Sequence, residues 1–226
     1  MNGIRLVVFD IAGTIVEDRG EVLCAFAEAL DGHGIRYTDD ELKEWKGASK
    51  KEVIRHFVRS QNTAADENAV AAVYADFRSG LERHYRGNGV VPIAGAAETF
   101  AWLKERGLLI ATTSGFYSEI ADLILESAGW RGMFAANISS SDVPIGRPAP
   151  FMIFRAMEAA GVCNVREVIN IGDTPLDLQA GTNAGVRDVI GVLTGMHGKE
   201  RLQREPHTGL LPSVAGLPEW IEERYS

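Results

Sequence analysis

One alternation constrains this chain more than any other feature. Short apolar runs of strand length recur at Ile4–Phe9, Leu108–Thr112, Phe134–Ile138, Val168–Ile171 and Val186–Val192, and most are separated by stretches whose apolar residues have helical spacing. Strands joined through helices run parallel and must be covered on both faces, so the pattern predicts an α/β fold built on a doubly wound parallel sheet. The intervening segments read as helices over about Ala94–Arg106, Tyr117–Ala128, Ala149–Ala160 and Leu176–Ala184. Gly107, Gly129, Gly161 and Gly185 follow them directly, and glycine ends a helix in the left-handed region at the least steric cost. Pro148 and Pro218 stand ahead of the third and the last helix, where proline suits a first turn.

Residues from about Asp18 to Arg86 break this rhythm, with no strand candidate but four helical segments at Val22–Leu30, Asp39–Trp45, Lys51–Arg59 and Ala69–Tyr85. The reading is an all-helical domain, 18–87, inserted after the first strand of a core made from 1–17 and 88–226. The chain returns through Arg86-Gly-Asn-Gly-Val, a turn-rich segment suited to a hinge. Composition fits a mobile lobe and a permanently docked helical hairpin equally.

With 226 residues, 46% of them hydrophobic and 24% charged, the chain is an ordinary globular protein rather than a disordered or fibrous one. A formal charge of −8 gives no electrostatic reason to bind nucleic acid or anionic lipid. Cys24 and Cys163 are too far apart for a zinc or redox pair and read as core thiols. No run approaches the roughly 18 apolar residues of a membrane span, and the start lacks the pattern of a signal peptide, so a cytoplasmic location without membrane attachment is expected.

In open parallel sheets ligands sit beyond the carboxyl ends of the strands. Asp10 follows the first apolar run, Ser114 and Gly115 the second, and Asp173 the fourth, while Arg147 lies in the loop after the third. Each has an ordinary structural explanation: Asp10 as a turn cap, Asp173 as the cap of the helix near Pro175, Ser114 as the start of a turn, Arg147 as a surface ion-pair partner. Together, two hard-oxygen acids, a guanidinium fork and a hydroxyl beside a glycine amide are the parts that hold Mg²⁺ and a phosphoryl group.

Asp10-Ile-Ala-Gly-Thr14, Ser114, Gly146-Arg-Pro-Ala-Pro150 and Gly172-Asp-Thr-Pro-Leu-Asp177 stand in the order of the four motifs of the haloacid dehalogenase superfamily, which the whole chain resembles. The helical insertion resembles that superfamily's mobile cap domain. The resemblance implies that Asp10 is a nucleophile forming an aspartyl-phosphate and that Thr14, Ser114 and Gly115 hold the phosphoryl group. It also implies that Asp173 binds Mg²⁺ together with Asp10 and the backbone carbonyl of Ala12. Two departures from the usual phosphatase pattern, Ala12 in place of a second aspartate and Arg147 in place of a lysine, resemble the phosphonoacetaldehyde hydrolase (phosphonatase) group.

Ala12 has its own consequence. Breaking a P–O ester expels an alkoxide that needs a proton, and a general acid is worth about 10²–10⁴-fold in rate, which alanine cannot supply. Breaking a P–C bond expels a carbanion, which needs an electron sink such as a protonated imine on a lysine. Lys50, in Gly47-Ala-Ser-Lys50, matches the spacing of the phosphonatase Schiff-base lysine by resemblance, although a solvated basic face explains Lys46, Lys50 and Lys51 as well. With Lys46 on the same face, repulsion and desolvation would favour the free amine of Lys50. Other phosphonatase features are missing: Val53 stands where that group has a histidine, Phe116 where it has a tyrosine, and Lys46 where it has a methionine.

Asp177, one helical turn after Asp173, either supports the metal through water or caps its helix. Thr194-Gly-Met-His-Gly198 reads as a polar loop at the same edge, with a lining of the site entrance as the alternative; the five histidines show no metal-ligand spacing, and the four tryptophans read as packing residues. The expected activity is Mg²⁺-dependent cleavage of a small phosphonate through Asp10, Lys50 and Arg147. Hydrolysis of phosphate monoesters is the alternative, and a phosphate sensor without turnover is the third reading. A homodimer through the amphipathic helix Val22–Leu30 is expected by analogy.

Overall fold

The computed structural model describes residues 3–45, 47–62 and 65–225. The chain divides into two compact units, one of Met1–Glu17 with Val90–Ser226 and one of Asp18–Gly89. Its strands are β1 (Leu6–Phe9), β2 (Leu109–Ser114), β3 (Ala136–Ser139), β4 (Val168–Gly172), β5 (Asp188–Val192) and β6 (Gly209–Leu211). Its helices are α1 (Glu21–Gly32), α2 (Asp39–Glu44), α3 (Lys50–Gln61), α4 (Glu67–Asn88), α5 (Ala96–Glu105), α6 (Ser118–Ser127), α7 (Phe151–Ala159), α8 (Pro175–Ala184), the single turn α9 (Lys199–Leu202) and α10 (Leu217–Tyr225).

Among the described residues of the larger unit all six strands are parallel, in the order β3-β2-β1-β4-β5-β6. Period-two alternation gives β1 two buried faces. Leu6 and Val8 pack with Ile153, Ala156 and Met157 of α7 and Leu178 of α8. On the opposite face Phe9 meets the edge of Phe100 on α5 at a centroid distance of 5.3 Å, and Phe100 in turn meets Trp130 and Phe134. The sheet is therefore doubly wound, as the sequence pattern predicts. Gly107, Gly129, Gly161 and Gly185 all have φ between 65° and 78°, the left-handed endings expected of them. The chain leaves β1 toward β2 on one side and comes back to β4 on the other, and sheets with such a switch point take ligands at the carboxyl ends of those strands.

The smaller unit is a helical bundle. The apolar stripe of α1 lies on α4, with Phe26 stacked on Phe77 at 4.4 Å, and Val53, Ile54, Phe57 and Val58 of α3 are buried. That stripe is the one from which a dimer seam was expected, and its amphipathicity is already accounted for by packing on α4.

Three expectations are corrected. β6 adds a sixth strand to the five read from the sequence; at three half-buried residues it is too short to carry a periodic signal. Helix α4 runs on through Gly87 to Asn88 and ends at Gly89 with φ 68°, so Arg86-Gly-Asn is helix rather than a loose turn. Both cysteines are exposed instead of buried: Cys24 lies off the α1 stripe formed by Val22, Ala25, Phe26, Ala29 and Leu30, and Cys163 follows the buried Val162 in the loop after α7. Among the described residues no helix is long and apolar enough to cross a membrane.

Candidate active site

Asp10 stands one residue beyond β1, its N–H donating to the carbonyl of Ile171 on β4 at 2.9 Å, so the ladder itself fixes its direction. The following loop closes on the carbonyl of Ile11, which accepts from the N–H groups of Thr14, Ile15 and Val16. Ile11, rather than the Asp10 carboxylate, thus satisfies the turn. Gly13 has φ 89°, and a Cβ there would lie 2.5 Å from Oδ2 of Asp173. Only glycine lets this loop pass the carboxylate.

Arg147 is 7% exposed and spreads its fork over the site. Nη1 donates to Oδ1 of Asp10 at 2.7 Å and forms an ion pair with Oδ1 of Asp177 at 2.6 Å. Nη2 donates to the carbonyl and the hydroxyl of Thr113, both at 2.8 Å. Burial works against the guanidinium charge, but the carboxylates of Asp177 and Asp10 outweigh it and raise its pKa. Arg147 is therefore a buried partner of the acids and not a surface residue.

Thr174, not Asp173, caps α8. Its hydroxyl accepts from the N–H of Asp177 and donates to Oδ2 of Asp177 at 2.6 Å, while Pro175 opens the helix. Asp177 thus closes a capping box with one oxygen and meets Arg147 with the other. Burial lifts its carboxyl to about 6, against the pull of Arg147 and with the help of the Asp10 charge. Asp173 is fully buried, and its Oδ1 accepts from the Thr14 hydroxyl at 3.2 Å.

Asp10, Asp173 and Asp177 each offer an oxygen within 4.8 Å of the others. Three buried carboxylates against one guanidinium leave an excess of negative charge in a small volume of hard oxygen donors, the chemistry that suits Mg²⁺. Two glycines make room for this cluster, since a Cβ at Gly195 would lie 1.8 Å from Oδ2 of Asp173, and one at Gly172 would lie 2.2 Å from Cγ of Asp177.

The other predicted residues fall as follows. Ser114 ends β2, and its Oγ accepts from the N–H of Phe116 at 3.2 Å, the Ser turn that explained it in structural terms. That bond uses a lone pair and leaves the hydroxyl proton to donate. The carbonyl of Gly115 accepts from Ser140 Oγ at 3.1 Å. Ala12 is half-buried in the loop after Asp10. Lys50 belongs to the helical unit, at the first turn of α3; it is 5% exposed and donates to the carbonyl of Ala48 at 3.3 Å. Lys46, expected to tune it, lies outside the described residues.

Sequence reasoning missed Thr113 and Thr174, and it placed the loop of Thr194 and Gly195 at this edge without giving those two residues a role. Thr174-Pro-Leu-Asp177 carried a capping-box signal that was available. Thr113 directly follows the apolar run Leu108–Thr112, with nothing to mark its hydroxyl as a guanidinium acceptor.

A family profile of haloacid dehalogenase-like hydrolases matches residues 7–192. A phosphonoacetaldehyde hydrolase from Bacillus cereus is 32% identical over 206 residues, 85% of this chain and 76% of that protein. Among solved structures, a hydrolase from Pseudomonas syringae superposes with a TM-score of 0.87 at 19% identity, covering 98% of this chain and 100% of that one. A phosphonoacetaldehyde hydrolase-like protein from Oleispira antarctica gives 0.85 at 23% identity, covering 98% and 92%. At those identities the structures speak for the fold alone. The profile, spanning most of the chain, and the curated relative above 30% identity establish that this protein belongs to the haloacid dehalogenase-like hydrolase family.

Proposed function

We propose that this hydrolase cleaves the phosphorus–carbon bond of a small phosphonate, phosphonoacetaldehyde being the substrate suggested by its curated relatives. The observation that carries the reading is Ala12, a methyl group in the nucleophile loop of a site otherwise equipped for phosphoryl transfer, at a position whose side chain cannot protonate a departing alkoxide. Mg²⁺, held by the carboxylates of Asp10 and Asp173 and the Ala12 carbonyl, would supply positive charge to the phosphoryl oxygens.

The amine of Lys50 condenses with the aldehyde, water leaves, and the protonated imine becomes the electron sink. An oxygen of Asp10 attacks phosphorus, and as the new O–P bond forms the P–C bond breaks, its electron pair passing into the imine to give an enamine. Arg147 holds Asp10 in line and offsets the phosphoryl charge, while Thr14, Ser114 and Gly115 seat the oxygens. Water then hydrolyses the aspartyl-phosphate to phosphate and free Asp10. Protonation of the enamine at carbon and hydrolysis of the imine return acetaldehyde and Lys50.

The test is phosphate release from a panel of phosphonates and phosphate esters, with borohydride trapping and peptide mapping. Turnover of the aldehyde phosphonate and a reduced substrate adduct on Lys50 support the reading, whereas an active protein with no adduct on Lys50 removes the imine. One observation favours a second reading, phosphate-monoester hydrolysis. Val53, standing where the phosphonatase group has a histidine, is fully buried and transfers no proton. Preference for esters with good leaving groups in the same panel would establish that alternative. We further propose that the partners are small molecules, with neither nucleic acid nor membrane engaged, and that any pairing of chains follows the phosphonatase precedent.

A further inference from the structure

The loop after β5 takes no part in the chemistry outlined above, yet it touches both halves of the acidic site. The Thr194 hydroxyl donates to the carbonyl of Gly13 at 2.6 Å, across 181 positions of sequence. The N–H of Gly13 donates to Val16 at 2.7 Å, so both polar backbone groups of the residue that carries the nucleophile loop past Asp173 are engaged. The next residue, Gly195, lies so close to Asp173 that a Cβ would sit 1.8 Å from Oδ2 and 2.3 Å from Cγ, overlapping the carboxylate outright. A Cβ at Gly13 would strike the same oxygen, at 2.5 Å. The Asp173 carboxylate is therefore packed closely against two glycines, one in each loop, and Thr194 ties those loops together.

We infer that Thr194 and Gly195 are positioning residues that set the divalent-cation affinity of this site, Thr194 by fixing the loop that carries Asp10 and Ala12, Gly195 by leaving room for the Asp173 carboxylate. The inference rests on the proposal that Asp10 and Asp173 bind the cation. A carboxylate moved by even half an ångström no longer shares a coordination sphere with its partner, and Mg²⁺ tolerates little deviation from octahedral geometry. The same contacts place no charge and no ligand atom in the site, so their effect must come through geometry.

The experiment is Mn²⁺ binding followed by electron paramagnetic resonance, with Mg²⁺ titration calorimetry, on wild type, T194S, T194V and G195A, alongside thermal unfolding of the metal-free proteins. T194S, which keeps the hydroxyl, is expected to bind within about twofold of wild type. T194V is expected to bind at least about fivefold more weakly, and G195A about 10–100-fold more weakly, the range usual for residues that orient metal ligands. If G195A fails to fold, the T194S and T194V pair decides. T194V and G195A binding as tightly as wild type, or T194V losing metal-free stability alone, overturns the inference while leaving the metal site standing. A wild type that binds neither cation overturns the metal-site proposal and this inference with it.

Discussion

Replacing Arg147 by methionine tests the electrostatic construction of the site most severely. The substitution removes the one guanidinium that meets Asp10 at 2.7 Å and Asp177 at 2.6 Å, and leaves three buried carboxylates with oxygens within 4.8 Å of one another. Breaking a buried pair by deleting one partner costs roughly 3–5 kcal/mol, because the other charge stays buried without compensation. The carbonyl and hydroxyl of Thr113 lose their donor as well, a further ~1–3 kcal/mol that does not simply add, since the acids relieve part of the strain by taking up protons. The expected net loss at pH 7.5 is about 3–5 kcal/mol, a fall in Tm on the order of 6–20 °C for a chain of this size. R147K keeps the charge but not the fork and should lose only ~1–3 kcal/mol. Urea denaturation of metal-free protein at pH 7.5 and pH 5 reads both. The loss for R147M must shrink at pH 5, where carboxylates accept protons more readily. A loss under ~1 kcal/mol, or one identical at the two pH values, refutes the view that Arg147 neutralises a buried acidic cluster.

Three further outcomes are expected. A12D should raise kcat/KM for alkyl phosphate esters by ~10-fold or more, as a fraction of the 10²–10⁴ available from a general acid, and a fall in the ester panel would discard the missing acid as the limitation. In the metal-free protein the Asp177 carboxyl titrates at about 6 against an ordinary 3.8, so between those values the folded state binds more protons than the unfolded one. That stabilisation is complete below the ordinary value and is lost as pH rises through about 6, so wild type should lose on the order of 2–3 kcal/mol relative to D177N over that window; parallel stability curves would contradict it. In the helical unit, F77A removes the ring stacked on Phe26 and should destabilise by roughly 3–5 kcal/mol in thermal unfolding, and a loss below ~1 kcal/mol would deny that ring its place in the α1–α4 core.

The strands and helices that carry the acids were readable because burial on both sheet faces writes long apolar runs, and because Asp10 and Asp173 follow those runs directly. What escaped notice depends on contacts that sequence spacing does not encode. Arg147 and Asp10 are 137 positions apart and Thr194 and Gly13 are 181 apart; nothing local marks either pair. Gly195 read as a loop residue, although its lack of a side chain is what lets Asp173 in. Gly87 read as a breaker, but a single glycine in a helix costs only ~1 kcal/mol, which the packing of a long helix absorbs. The cysteines were assigned to the core from the habits of the residue type, against the periodicity of α1, which places Cys24 outside the stripe.

Direct sight of the covalent intermediate decides whether Asp10 accepts the phosphoryl group. Protein mixed with substrate, quenched in acid within the first turnover and reduced with borohydride should yield a peptide with homoserine at position 10, the reduction product of an acyl phosphate, and D10N should yield none. Recovery of unmodified Asp10 from protein that is turning over, or phosphate release by D10N at the wild-type rate, would contradict it.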